Sequence, residues 1–336
     1  MNQSLNNRLF YIDVVKTISI IGVVYIHSSG ILKESSLSND FVKACFRFGV
    51  PCFVLFWAYF LELGLLKREK SEHIKYLLTK FFALFKVYFI WSVLYFLVNA
   101  DFHQLSLNVI IKHHFIGFGW QGQYFFIVLF QLLFLFPFLR NVYLKKFLLA
   151  VLIITILITY FFVGYRFYWL PSVIKKIGYS PFIYWIPYVL VGIALARKEF
   201  TNIGNWLWVI VLLTPIEAIC FIVYNIQGFP YVSLGVLFGS IALSTVAITK
   251  SLSSVKSPTI LKLISFIAKN TMVIFVANPF FVMLFKHFFP IEIMFIYKGG
   301  NFDVILLNFV ISLLILILCL VFANILRKSR LEWMIN

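Results

Sequence analysis

Charge is scarce in this sequence. Asp, Glu, Lys and Arg make up 12% of its 336 residues, about half of the roughly 25% usual in a soluble domain. Too little polar side chain remains to cover a water-facing surface, which excludes a soluble enzyme. Acidic residues are scarcer still, 12 against 29 basic ones. In a soluble chain that imbalance points to nucleic acid; here no basic cluster accompanies a soluble surface, so nucleic-acid binding is excluded as well. Cysteine is rare. Cys45, Cys52, Cys220 and Cys319 lie in or beside apolar stretches with no CxxC spacing and read as small buried hydrophobes. There is no HExxH, no GxSxG, no phosphate-binding glycine loop and no dinucleotide fingerprint. His103, His113 and His114 read as solvated loop histidines, and His73 and His287 as residues of basic connections without an evident partner. No metal site is expected. No linker is long enough to set off a soluble domain, and the first apolar stretch lacks a small-residue cleavage site, so one membrane domain over 1–336 with a retained first span is expected.

What the sequence has in abundance is apolar side chain: 62% hydrophobic residues, 41 Phe and 17 Tyr among them. A helix crossing the hydrocarbon needs about 20 largely apolar residues. Stretches of that kind lie at 10–29, 45–66, 81–99, 121–139, 147–165, 181–196, 205–225, 230–249, 264–285 and 303–326. The expected fold is all-α, a polytopic membrane protein with about ten transmembrane helices in one bundle. The sixth stretch is short and holds Pro181 and Pro187, which marks it as a broken span. With the N-terminus inside, 17 Lys and Arg residues fall in inner connections and 8 in outer ones. Both termini are therefore expected in the cytoplasm, with the chain multi-pass in the cell membrane.

Ionisable residues within spans are costly and point to function. Asp13, Lys16 and His27 share the first span, in IDVVKTISIIGVVYIH. Lys16 and His27 are eleven residues apart, about three helical turns, so they fall on one stripe with a rise of roughly 16 Å. Asp13 lies one turn before Lys16, within pairing reach. Lys16 reaching inner headgroups, Asp13 neutralising it and His27 at the interface is the structural alternative. Arg47 opens the second span at the outer level of His27, beside a bend made by Gly49 and Pro51. An Arg there can hold a phosphate or carboxylate and favour a neutral, basic imidazole. Among other polar residues in spans, Glu62 has Lys67 and Arg68 as nearby partners, and Glu217 is deep enough to orient a histidine.

These residues together resemble the membrane acyltransferase 3 family, whose members acylate extracellular glycans. Asp13, Lys16 and His27 stand where that family has an acidic residue, an Arg and a His. Arg47 through Phe53 (RFGVPCF) is similar to its RxGVPxF pattern, with Trp57-Ala58 following where Ser-Gly is usual. The stretch GWQGQYFFIVLFQ, from Gly119 to Gln131, resembles the aromatic entry to its fourth helix. Phe275-Val276-Ala277-Asn278-Pro279 stands at its Tyr-Leu-x-His-Pro position, with Asn278 in place of the His. The GVPCF and GWQGQYFFIV stretches look most like the branch linked to biofilm poly-N-acetylglucosamine modification or export.

The resemblance implies transfer of an acyl group from cytoplasmic acyl-CoA to a hydroxyl of a cell-surface or lipid-linked glycan, with no bound cofactor. His27 would be the general base and Arg47 its electrostatic partner. Asp13, Lys16, Trp120 and Gln123 would bind substrate, and Lys16 and Arg47 would hold CoA phosphates or stabilise developing negative charge. Membrane lipid and polysaccharide-biosynthesis proteins are the expected partners. Ten helices with bent and broken spans also fit an exporter of a polysaccharide or lipid-linked sugar.

Overall fold

The computed structural model describes residues 2–32, 36–99, 106–111, 117, 119–165, 178–199, 207–224, 226, 229, 231–249, 257–288, 301–329 and 331–334. His103, His113 and His114 lie outside the described residues. Among the described residues the regular structure is helical throughout, and each of the ten apolar stretches carries a helix. Seven helices are long and apolar enough to cross a membrane alone, and three are shorter.

The first half comprises α1 (Asn2–Ser28), α2 (Leu37–Cys45), α3 (Gly49–Leu66), α4 (His73–Asn99), α5 (Gln123–Tyr143) and α6 (Lys146–Tyr165). The second half comprises α7 (Ile186–Ala196), α8 (Leu207–Val211), α9 (Leu213–Val223), α10 (Leu234–Thr249), α11 (Pro258–Lys269), α12 (Thr271–Phe288) and α13 (Asn301–Lys328). Helix α1 is the hub, packing on α3, α10, α11, α12 and α13. Its Ile20, Val23, Val24 and Tyr25 are buried on several sides, as a central helix requires. Glycine lets its neighbour close in: a Cβ on Gly49, at the start of α3, would sit 2.9 Å from the Ser19 carbonyl oxygen. Residues such as Phe82, Phe134, Phe147 and Val321 project outward, exposed, as lipid-facing side chains do.

Several spans are more broken than their hydropathy implies. The sixth begins as a 3-10 turn over Phe182–Tyr184 and continues as α7, only eleven residues long. The seventh breaks at Leu212, and the ninth at Asn270, which divides amphipathic α11 from α12. Trp57-Ala58 does not prevent close packing of α3, because the glycine is on the other helix. A Cβ on Gly192 of α7 would lie 2.8 Å from the Leu55 carbonyl oxygen and 2.9 Å from Ala58 Cβ.

Two sequence readings are corrected by packing. Glu62 does not pair with Lys67 or Arg68; it points into the bundle, where Arg140 Nε of α5 lies 2.7 Å and Arg197 Nη2, just past α7, 2.9 Å from its carboxylate. Arg68 instead donates to the Gly64 carbonyl and lies over the Tyr76 ring. Among the described residues Glu217 orients no histidine: Tyr165, Ser233 and the Gly235 N–H donate to it, tying α9 to α6 and the start of α10.

Candidate active site

Six separate parts of the chain converge where α1 ends. His27 lies in the last turn of α1, and Arg47 in the 3-10 turn Phe46–Phe48 that leads into α3. Trp120 and Gly122 come from the turn before α5, Tyr179 and Tyr231 from connections, and Lys286 from the last turn of α12. Together they line a cavity of about 670 Å³.

The environment of His27 is set from α12. Pro279 sits inside that helix and has no N–H, so the Phe275 carbonyl one turn earlier loses its usual helical donor. Asn278 supplies the replacement: its Nδ2 donates to the Phe275 carbonyl at 2.9 Å and to the Ile274 carbonyl at 2.8 Å. With its NH2 engaged there, the amide turns its oxygen to His27, and Asn278 Oδ1 lies 2.6 Å from His27 Nδ1. An amide oxygen only accepts, so Nδ1 carries the hydrogen and Nε2 keeps its lone pair. The imidazole is thereby held in the tautomer of a proton acceptor, beside the cavity.

Around it the chemistry is cationic and phenolic. The Arg47 guanidinium lies 4.8 Å from the centre of the Tyr231 ring, a cation–π distance. Tyr179 packs edge-on against Tyr231 at 4.8 Å. Burial pushes the Tyr179 hydroxyl up to about 12, so it stays a neutral donor at working pH. Trp120 stacks on Tyr95 at 5.0 Å, and the Tyr95 hydroxyl donates to the Val276 carbonyl. Among the described residues, Arg47 Nε and Trp120 Nε1 are buried donors without a partner. Unmet donors beside a base are what a developing oxyanion needs.

Asp13, Lys16 and Gln123 lie elsewhere. Lys16 lines a second, smaller slot of about 210 Å³, walled by Phe53, Trp57, Phe60, Met272 and Phe275. Asp13 has Lys16, Ser265 and Lys269 around it. The ion pairs among the described residues are Asp40–Lys43, Glu62–Arg140 and Glu62–Arg197, so Asp13 and Lys16 stay beyond bridging distance. Gln123 is fully buried, accepting from the Gly119 N–H at 2.7 Å and donating to Ser92 at 2.9 Å. It pins the turn that presents Trp120. Sequence reasoning missed Asn278 as a partner of His27, and Lys286, Tyr124, Tyr179 and Tyr231 as cavity residues. The departure at Asn278 from the family's His-Pro pattern was the one visible signal; the tyrosines and Lys286 had none.

Fold and cavity together define an integral membrane protein with a histidine-bearing cavity at one end of an all-α bundle. The family model for an acyltransferase domain matches residues 9–324, and the chain belongs to the acyltransferase 3 family. No curated protein and no solved structure matches it.

Proposed function

We propose that this membrane acyltransferase moves an acyl group from acyl-CoA, entering from the cytoplasm, to a hydroxyl of a cell-surface or lipid-linked glycan. The observation that carries the reading is the Asn278-oriented His27 beside Arg47 and Trp120 in one cavity. His27 Nε2 takes the proton of the sugar hydroxyl as its oxygen attacks the thioester carbonyl. The negative charge passes to the carbonyl oxygen, where Arg47 and Trp120 Nε1 stabilise it. Collapse expels the CoA thiolate, which recovers the proton from His27 and leaves an ester on the glycan. Aromatic faces in the cavity suit a sugar acceptor, and the apolar slot beside Lys16 suits the acyl end of the donor. Positive-inside counting supports placing the His27 end outward and both termini in the cytoplasm.

The test is acyl content per sugar residue in cells with matched protein levels. Loss of a positioned general base lowers the rate by about 10²–10⁴, so His27→Ala should accumulate normally yet barely acylate. Arg47→Lys keeps the charge but loses the planar fork and should be intermediate. Export of an unacylated polymer by His27→Ala fits the transferase. Full acylation together with loss of surface polymer would instead favour a polysaccharide exporter.

A further inference from the structure

The His27 cavity and the Lys16 slot share a wall, and that wall is one aromatic layer. Phe275 of α12 lines the slot. Its ring rim abuts Gly122, which lines the cavity: a Cβ on Gly122 would sit 2.9 Å from Phe275 Cζ. Gly122 also has φ +93°, so a side chain there is excluded twice, by backbone and by the ring. Phe125, another slot residue, packs on Phe275 with ring centroids 5.1 Å apart. Phe126 closes the layer, 6.3 Å from Phe275 and 5.9 Å from Trp120. Phe275 is only 4% exposed, and its carbonyl is held by Asn278, the amide that orients His27. One residue therefore bears on both, its ring on the wall and its backbone carbonyl on the amide that orients His27.

Resting on the acyl-transfer reading above, we propose that Phe275 is the partition between the donor and acceptor sides, and that its ring swings aside for the thioester to meet His27. The physical reason is exclusion of water. A thioester kept in the slot behind a closed aromatic layer does not meet water from the acceptor side before a sugar hydroxyl is in place. A side-chain rotation is enough for this, because the Phe275 carbonyl bond to Asn278 need not break.

Two cysteine reporters test the wall independently of catalysis, in a background with the native cysteines replaced. Gln121→Cys marks the His27 side and Thr271→Cys the Lys16 side. An impermeant thiol reagent is applied from the face at which Gln121→Cys reacts. Thr271→Cys should stay unlabelled with Phe275 present and become labelled with Phe275→Ala, or with Phe275→Leu where the Ala variant does not accumulate. Equal labelling with and without the ring, or none in either, overturns the partition. Phe275→Trp should slow acyl transfer by about 10²-fold, the loss expected when reacting groups are kept out of alignment. His27→Ala runs beside it. Normal transfer by Phe275→Trp with an inactive His27→Ala overturns the partition alone; normal transfer by both overturns the acyl-transfer reading and the partition with it.

Discussion

At Asn278 a neutral amide does work that a carboxylate or a second histidine often does. Its oxygen accepts from His27 Nδ1, while its NH2 group replaces the donor that Pro279 removes from α12. The first role selects a tautomer; the second keeps the amide from flipping. Asn278→Ala should therefore leave His27 in place but free to carry its hydrogen on either nitrogen. Losing one hydrogen bond of about 1 kcal/mol corresponds to roughly a fivefold slower reaction. The acylation rate at matched membrane levels checks this, and a rate equal to that of the parent would remove Asn278 from the site. His27 and Arg47 were legible in the sequence because charge in an apolar span is conspicuous. Asn278 was visible only as a departure from a pattern, because an amide in a span has several uses and only its partner decides among them.

Among elements, the sharpest device is the ionic node at the opposite end of α3. Glu62 is fully buried and faces Arg140 and Arg197, so one carboxylate joins α3, α5 and the end of α7. His73, the first residue of α4, accepts from Arg140 at Nδ1 and bonds the Leu65 carbonyl through Nε2 at 3.0 Å. Four helices thus meet at a single negative charge. Glu62→Ala leaves two mostly buried guanidinium groups facing each other and should destabilise the protein by about 3–5 kcal/mol. Replacing Arg140 and Arg197 by Leu in the same chain should recover most of that loss. Thermal melting of the detergent-solubilised protein measures both, and a single variant as stable as the parent would show the node to be dispensable. The local charges Lys67 and Arg68 misled the sequence reading here. Partners across helices are set by which way a side chain points, and spacing along one helix carries no such information.

At the scale of the molecule, the two ends have different characters. The end holding the Glu62 node carries the basic connection 67–80, and the end holding His27 opens the larger cavity. On the proposed orientation, which the positive-inside asymmetry supports, the first end is cytoplasmic. A cysteine at position 72, in an exposed turn, should react with an impermeant reagent only from the cytoplasmic side, and one at Gln121 only from outside. Labelling of position 72 on intact cells would reverse the orientation. On the proposed function, the same axis would carry the acyl group from the Lys16 slot to His27.

The all-α membrane class and the place of each span were determined by sequence alone. Lipid offers backbone groups no partner, so an apolar run of sufficient length has helix as its stable form. Lys16 and His27 were singled out in the same way, since they stand out against their apolar neighbours along one helix. Tertiary structure decided the rest. It put Lys16 and His27 in separate hollows with Phe275 between them, and it took Glu62 away from the cations of its own chain segment. It also brought Asn278 to His27 across 251 residues. Those outcomes depend on helix crossing, on the close approaches that Gly49 and Gly192 permit, and on the turn that Gly122 makes against Phe275. Such contacts are made between segments distant in the chain, where hydropathy and spacing have no reach.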